Sequence, residues 1–71
     1  MMPEERYTTE RFRHRLRAAR QKVGLTQAQA AEKAGFEQPL WSSYERGLRV
    51  PSISQVYRMA AAMKISPKRL I

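Results

Sequence analysis

LTQAQAAEKAGFEQPLWSSYERG, residues 25–47, is the stretch that decides the fold. Thr26 followed three residues later by Gln29 forms a capping box, in which the hydroxyl accepts from an orphan backbone N–H and the amide reaches back to the cap. It starts a helix that runs to Ala34, and Gly35 supplies the turn. The helix is short and alanine-rich. Ala28, Ala30, Ala31 and Ala34 bring little apolar volume, so the element has to pack closely against its neighbours. Phe36 to Arg46 predicts another short helix, its regular part roughly Gln38 to Glu45. Pro39 is tolerated there because first-turn amides have no intrahelical acceptor. Trp41 and Tyr44 share a face and read as core, and Gly47 closes the helix.

Upstream, Phe12, Leu16, Ala19 and Val23 recur at spacings of four, three and four, one stripe of a helix from about Thr9 to Val23 that Gly24 ends. Arg11, Arg15 and Lys22 flank one side of the stripe, and Arg13, Arg17 and Arg20 the other. His14 lies off it and is expected to be exposed. Met1 to Thr8 reads as an arm, loosely held unless a partner covers it, leaving residues 9–71 as the domain. Downstream, Ser52 and Gln55 repeat the capping box, and Ile53, Val56, Tyr57, Ala60 and Met63 trace a fourth amphipathic helix to about Lys64. The expected core aromatics are Phe12, Trp41, Tyr44 and Tyr57. A final turn begins at Ser66 with Pro67 at its first helical position. Leu70 and Ile71 either fold back onto helix four or meet a second subunit.

Seventy-one residues with no cysteine and one histidine leave neither a disulfide staple nor a credible metal cluster, so stability must come from packed helices or association. No cofactor is expected. Fourteen Lys and Arg against six Asp and Glu give a formal charge of +8, which favours a polyanionic partner, nucleic acid first. No apolar run approaches a spanning helix and Met1 to Arg20 is too charged for a signal peptide, so a cytoplasmic location with no membrane is expected. Without a paired histidine and carboxylate, a cysteine nucleophile or a phosphate loop, an enzyme is the weakest class.

The ordered set LRAARQKVGLTQAQAAEKAG, the aromatic-bearing helix closing in YERG, and VPSISQVYRMAAAMKISP resembles the Cro and lambda-repressor-like helix-turn-helix regulators, the XRE type. The resemblance covers nearly the whole chain. It implies an all-α domain of five helices, with helices two and three as the DNA-reading unit, and transcriptional repression or activation. The start of helix two is then suited to a phosphate, with Gln27 adding a donor. In the major groove, Gln38 can pair bidentately with adenine and Leu40 can meet a thymine methyl. Ser43 points outward if Trp41 and Tyr44 point in and joins the base readout, its hydroxyl reading bases only permissively, and Ser42 is evenly balanced between backbone contact and bystander. Arg46 and Arg49, around Gly47, and Arg17 are expected to hold the sugar-phosphate strand, which positions without specifying sequence. The resemblance also implies a buried ion pair between Arg20 and Glu45, whose truncation at Arg20 would cost about 3 kcal/mol.

This chain departs from that family's usual pattern at three places. Glu37 stands where a Ser, Thr or Asp commonly caps helix three, and Pro39 replaces a polar base-reading side chain. Ala30 and Trp41 exchange volumes, the indole filling space that a larger residue at position 30 would take. The implied mechanism is a homodimer on an inverted-repeat operator, reading helices about 34 Å apart. Met63, Ile65, Leu70 and Ile71 are the first expectation for the subunit contact, the loop around Val50 the alternative. The rivals are a DNA-binding antitoxin that also docks a toxin protein, and an RNA-binding module, disfavoured because A-form RNA hides its major groove.

Overall fold

The computed structural model describes residues 3–71, with side chains from Glu10 onward. Four α-helices, α1 (Pro3–Lys22), α2 (Gln27–Ala34), α3 (Gln38–Glu45) and α4 (Ile53–Met63), are followed by one 3-10 turn, Pro67–Arg69. No strand occurs among the described residues. Among the described residues there are thus four α-helices, not the five that the resemblance implies, with a single tight turn in the place of the fifth. Arg69 N–H donates to Ser66 O at 2.9 Å and Leu70 N–H to Pro67 O at 3.0 Å, i→i+3 bonds that suffice to turn Leu70 into the core.

Helix α1 begins six residues before the stretch that periodicity marks; the arm expected over residues 1–8 has no described side chains. Both capping boxes form, Thr26 with Gln29 and Ser52 with Gln55. Glu37 is the N-cap of α3 and makes no side-chain cap bond, as its departure from the usual cap residues implies. Gly35 ends α2 at φ 81°, a left-handed geometry that a side chain resists. Phe36 N–H returns to Ala31 O at 2.8 Å. Arg58 of α4 seals the same corner, donating to Ala34 O (3.1 Å) and Gly35 O (3.0 Å) with its guanidinium 4.6 Å over the Phe36 ring. A Cβ on Gly35 would lie 2.7 Å from the Arg58 guanidinium. Gly35→Ala is therefore expected to lower stability by about 1–3 kcal/mol, chiefly from the left-handed backbone, measurable by urea unfolding.

The core joins Phe12 and Leu16 of α1, Ala30, Ala31 and Ala34 of α2, Trp41 and Tyr44 of α3, Val56, Met59, Ala60 and Met63 of α4, and Leu70. Helix α2 packs against both α3 and α4, and its alanines allow the close approach. Tyr44 donates its hydroxyl to Gln55 Oε1 at 2.8 Å, tying α3 to the capping box of α4.

Four sequence expectations are corrected here. Tyr57 is not a core aromatic: it is 58% exposed beside the equally outward Ile53. The buried row of α4 is Val56, Met59, Ala60 and Met63, and the row one step round, Ile53 and Tyr57, faces away. Val23 is 43% exposed, because α1 ends at the edge of the core beside Ile65. Met63 and Leu70 are buried within the chain's own core, so neither is available as a subunit contact; Ile65 is half-buried and Ile71 exposed.

Candidate nucleic-acid interface

The start of α2 and the start of α3 meet. Gln38 Nε2 donates to Gln27 Oε1 at 3.0 Å, joining the first residue of each helix across the Gly35 turn. Helix N-termini expose amides without intrahelical partners and carry partial positive charge, so two of them side by side form a surface suited to anionic ligands. Gln27 is half-buried and Gln38 and Pro39 are exposed. Leu40 is half-buried and packs against the core, so part of its side chain remains outward.

Behind this surface lies Glu45, whose side chain is fully buried. Its Oε2 accepts from Arg20 Nε at 2.6 Å and from the Trp41 indole Nε1 at 2.6 Å. Its Oε1 accepts from Gln27 Nε2 at 3.0 Å, Arg20 Nη2 at 3.1 Å and Arg17 Nε at 3.3 Å. Arg20 also donates through Nη1 to Leu25 O at 2.9 Å, so its guanidinium closes α1 onto the α1–α2 turn as well as onto α3. The Arg20–Glu45 ion pair is present as the resemblance implies. Every buried side-chain nitrogen and oxygen among the described residues has a partner. A buried charge without such partners would be costly, and here the carboxylate is fully supplied.

Burial by itself pushes the Glu45 carboxyl up, but hydrogen bonds from Arg20, Gln27 and Trp41, together with the Arg20 charge, bring it net below its ordinary value. A carboxylate depressed on folding stabilises the fold above its unfolded pKa and loses that contribution as pH falls through the folded value. Urea unfolding followed from neutral pH into the acid range should therefore show stability falling below the ordinary carboxylate pKa, by a larger amount than in Glu45→Gln.

The remaining expected contacts are distributed unevenly. Ser43 is corrected: it is 8% exposed and its hydroxyl donates to Leu40 O at 2.6 Å, so it does not point outward. The chain turns back after α3, Leu48 N–H donating to Ser43 O at 2.9 Å. Ser42 is half-buried, with its carbonyl accepting from Arg46 N–H at 3.0 Å. Arg46 and Arg49 are exposed on either side of Gly47, whose φ is 74°. Arg17 is 54% exposed and leans toward Glu45, leaving its guanidinium accessible.

Sequence reasoning missed three links: Trp41 to Glu45, Gln27 to Glu45, and Gln38 to Gln27. The first had a signal, since residues four apart on a helix are neighbours. The other two depend on how α2 crosses α3, which no local pattern encodes. Among the described residues, no group of three or more His, Cys, Asp or Glu is placed to hold a metal ion, and no helix is long and apolar enough to cross a membrane.

A family model for a helix-turn-helix domain matches residues 11–70 of this chain. An uncharacterized HTH-type transcriptional regulator of Sinorhizobium fredii (strain NBRC 101917 / NGR234) is 38% identical over 52 residues, covering 73% of this chain and 68% of that protein. A second uncharacterized HTH-type transcriptional regulator, from Mycobacterium tuberculosis, is 34% identical over 55 residues, covering 78% of this chain but only 39% of that protein. The crystal structure of the restriction-modification controller protein C.AhdI from Aeromonas hydrophila is similar with a TM-score of 0.83 at 33% identity, covering 86% of this chain and 92% of that one.

Proposed function

Because this chain belongs to the helix-turn-helix domain family of DNA-binding transcriptional regulators, we propose that it recognises a specific inverted-repeat operator as a homodimer, with α3 in the major groove. The family and these relatives are regulators, not enzymes. The observation that carries the reading is the Gln38–Gln27 hydrogen bond, which places the two helix starts on one surface beside the exposed Arg17. Gln38 reads adenine, and the outward part of Leu40 meets a thymine methyl. Gln27, Ser42, Arg17, Arg46 and Arg49 hold the sugar-phosphate strand, and Ser43 supports α3 without touching a base. With +8 net charge, the arginines supply affinity and α3 supplies choice.

The second copy is assigned to the apolar surface around Val50, Ile53 and Ile71, each at least half exposed. A groove lined by Phe12, Tyr44, Val50, Ile53, Val56 and Ile71 runs beneath it. This takes the alternative contact, the loop around Val50, over the one centred on Met63 and Leu70. The same exposed surface is what would favour a docked protein partner in place of a second copy, the antitoxin-like reading. Repression follows from occupying a promoter, its own included, and the similarity to C.AhdI, a restriction-modification controller protein, supports a controlling role.

The test is a fluorescence-anisotropy titration of the protein against duplex covering its own promoter, beside a composition-matched scramble, at low and high salt. Tight promoter binding that outlasts the scramble at high salt, and that Gln38→Ala weakens selectively, is the expected result. Equal, salt-labile binding to both would count against autoregulation. Sedimentation with and without DNA separates a homodimer from a monomer that needs another protein.

A further inference from the structure

The direction of each amide in the Glu45–Gln27–Gln38 chain follows from one fact: an ionised carboxylate only accepts hydrogen bonds. Gln27 must turn its NH2 group toward Glu45, and does so at 3.0 Å. Its carbonyl oxygen then faces the other way and accepts from Gln38 Nε2 at 3.0 Å. Gln38 is left with its own carbonyl oxygen and its second N–H unspent, an acceptor and a donor side by side. Adenine presents the matching pair in the major groove, a donor at N6 and an acceptor at N7. Reversing either amide would set two oxygens, or two NH2 groups, against each other.

We propose that Glu45 is a positioning residue for base choice, fixing through Gln27 the amide direction with which Gln38 reads adenine. The inference rests on the reading role assigned to Gln38 above. Four further donations keep the carboxylate from rotating out of this role, the longest from Arg17 Nε to Oε1 at 3.3 Å. Arg20 Nε and the Trp41 indole both hold Oε2 at 2.6 Å, and Arg20 Nη2 holds Oε1 at 3.1 Å. The buried ion pair therefore has an output at the surface: its negative charge is converted, two hydrogen bonds away, into a preference for one base.

The experiment selects bound duplexes from a randomised pool with the wild-type chain and with Glu45→Gln, Gln27→Ala and Gln38→Ala, each checked for folding by circular dichroism. Glu45→Gln keeps the shape of the side chain but can donate as well as accept, so the amide order downstream is no longer fixed. Wild type is expected to enrich adenine at one position of each half-site, and Gln38→Ala to erase that preference. Glu45→Gln and Gln27→Ala should each lower it about tenfold while leaving preferences elsewhere in place. A merely structural Glu45 would weaken binding to all sequences alike. If Glu45→Gln does not fold, Gln27→Ala tests the relay alone, at a first helical position where alanine is well tolerated. Loss of the preference in Gln38→Ala but its retention in Gln27→Ala and in folded Glu45→Gln would overturn the relay and leave the DNA reading standing. Selection of no sequence by wild type would overturn both.

Discussion

Trp41→Ala is expected to unfold the domain. The indole is 0% exposed and is the largest of the fully buried side chains. Removing so large an aromatic costs about 3–5 kcal/mol through lost burial and the cavity left behind. A chain of this length has only about 4–11 kcal/mol of stability in all, at the usual scale per residue. The cavity is hard to close by collapse, because the same core contains Ala30, Ala31 and Ala34 of α2, which have no side chain to extend. The substitution also strips a 2.6 Å donor from Glu45, which weakens the supply to a buried charge. Thermal and urea unfolding by circular dichroism should show no cooperative transition, or one at the edge of detection. Trp41→Phe, which retains most of the volume and loses only the N–H, should remain folded with a smaller deficit. A folded Trp41→Ala variant with a native melting curve would mean that the indole contributes little to the core.

The second large effect belongs to Arg20, and its neighbour provides the control. Arg20→Ala removes three of the donations that hold α1 against the turn and α3, two to Glu45 and one to Leu25 O. It leaves a buried carboxylate short of its main counter-charge, which costs about 3–5 kcal/mol. Arg17→Ala removes one 3.3 Å bond from a side chain that is 54% exposed, where solvent screening holds the loss to about 0–1 kcal/mol. Measured side by side in urea, the two arginines should differ several-fold in effect on stability. Their effects on DNA binding should run the other way once folding is accounted for, since Arg17 has the accessible guanidinium. Equal stability losses would show that Glu45 draws on both arginines alike.

What could be read from the chain beforehand was mostly what is encoded within one turn of helix. Thr26 with Gln29 and Ser52 with Gln55 start helices by contacts three residues long, and both boxes formed. Gly35 announced its turn for the same reason. The limits of α1 and the faces of α3 and α4 were less legible. Periodicity marks an apolar arc on a helix but not which edge of the arc a neighbour covers, so the pattern puts Tyr57 inside and leaves out Met59, the reverse of their burial. Ser43 is buried although it lies on the opposite side of α3 from Glu45: its hydroxyl folds back onto Leu40 O and the chain after α3 returns to it, Leu48 N–H donating to Ser43 O at 2.9 Å, a closure that a pattern of apolar positions leaves out. The ion pair itself came from family resemblance, not from spacing, since Arg20 and Glu45 stand 25 residues apart. The links among Gln27, Gln38 and Glu45 required the crossing of α2 and α3, a tertiary quantity.

The alanine face of α2 has an evolutionary consequence. Ala30, Ala31 and Ala60 are 0%, 1% and 0% exposed in the core where α2 meets its neighbours, and any larger residue there must push helices apart. In the same core, Trp41, Leu16 and Met59 are 0% exposed, and any smaller residue leaves a void. Inherited variation in this core is consequently ratcheted in both directions at once: a change on the alanine side survives only when a matching change of opposite sign has already arisen on the tryptophan side. Lineages of this domain should therefore exchange a small and a large core residue as a pair, through a small set of stepwise routes, while the exposed Glu37 and Pro39 at the start of α3 drift independently without disturbing the frame that carries them.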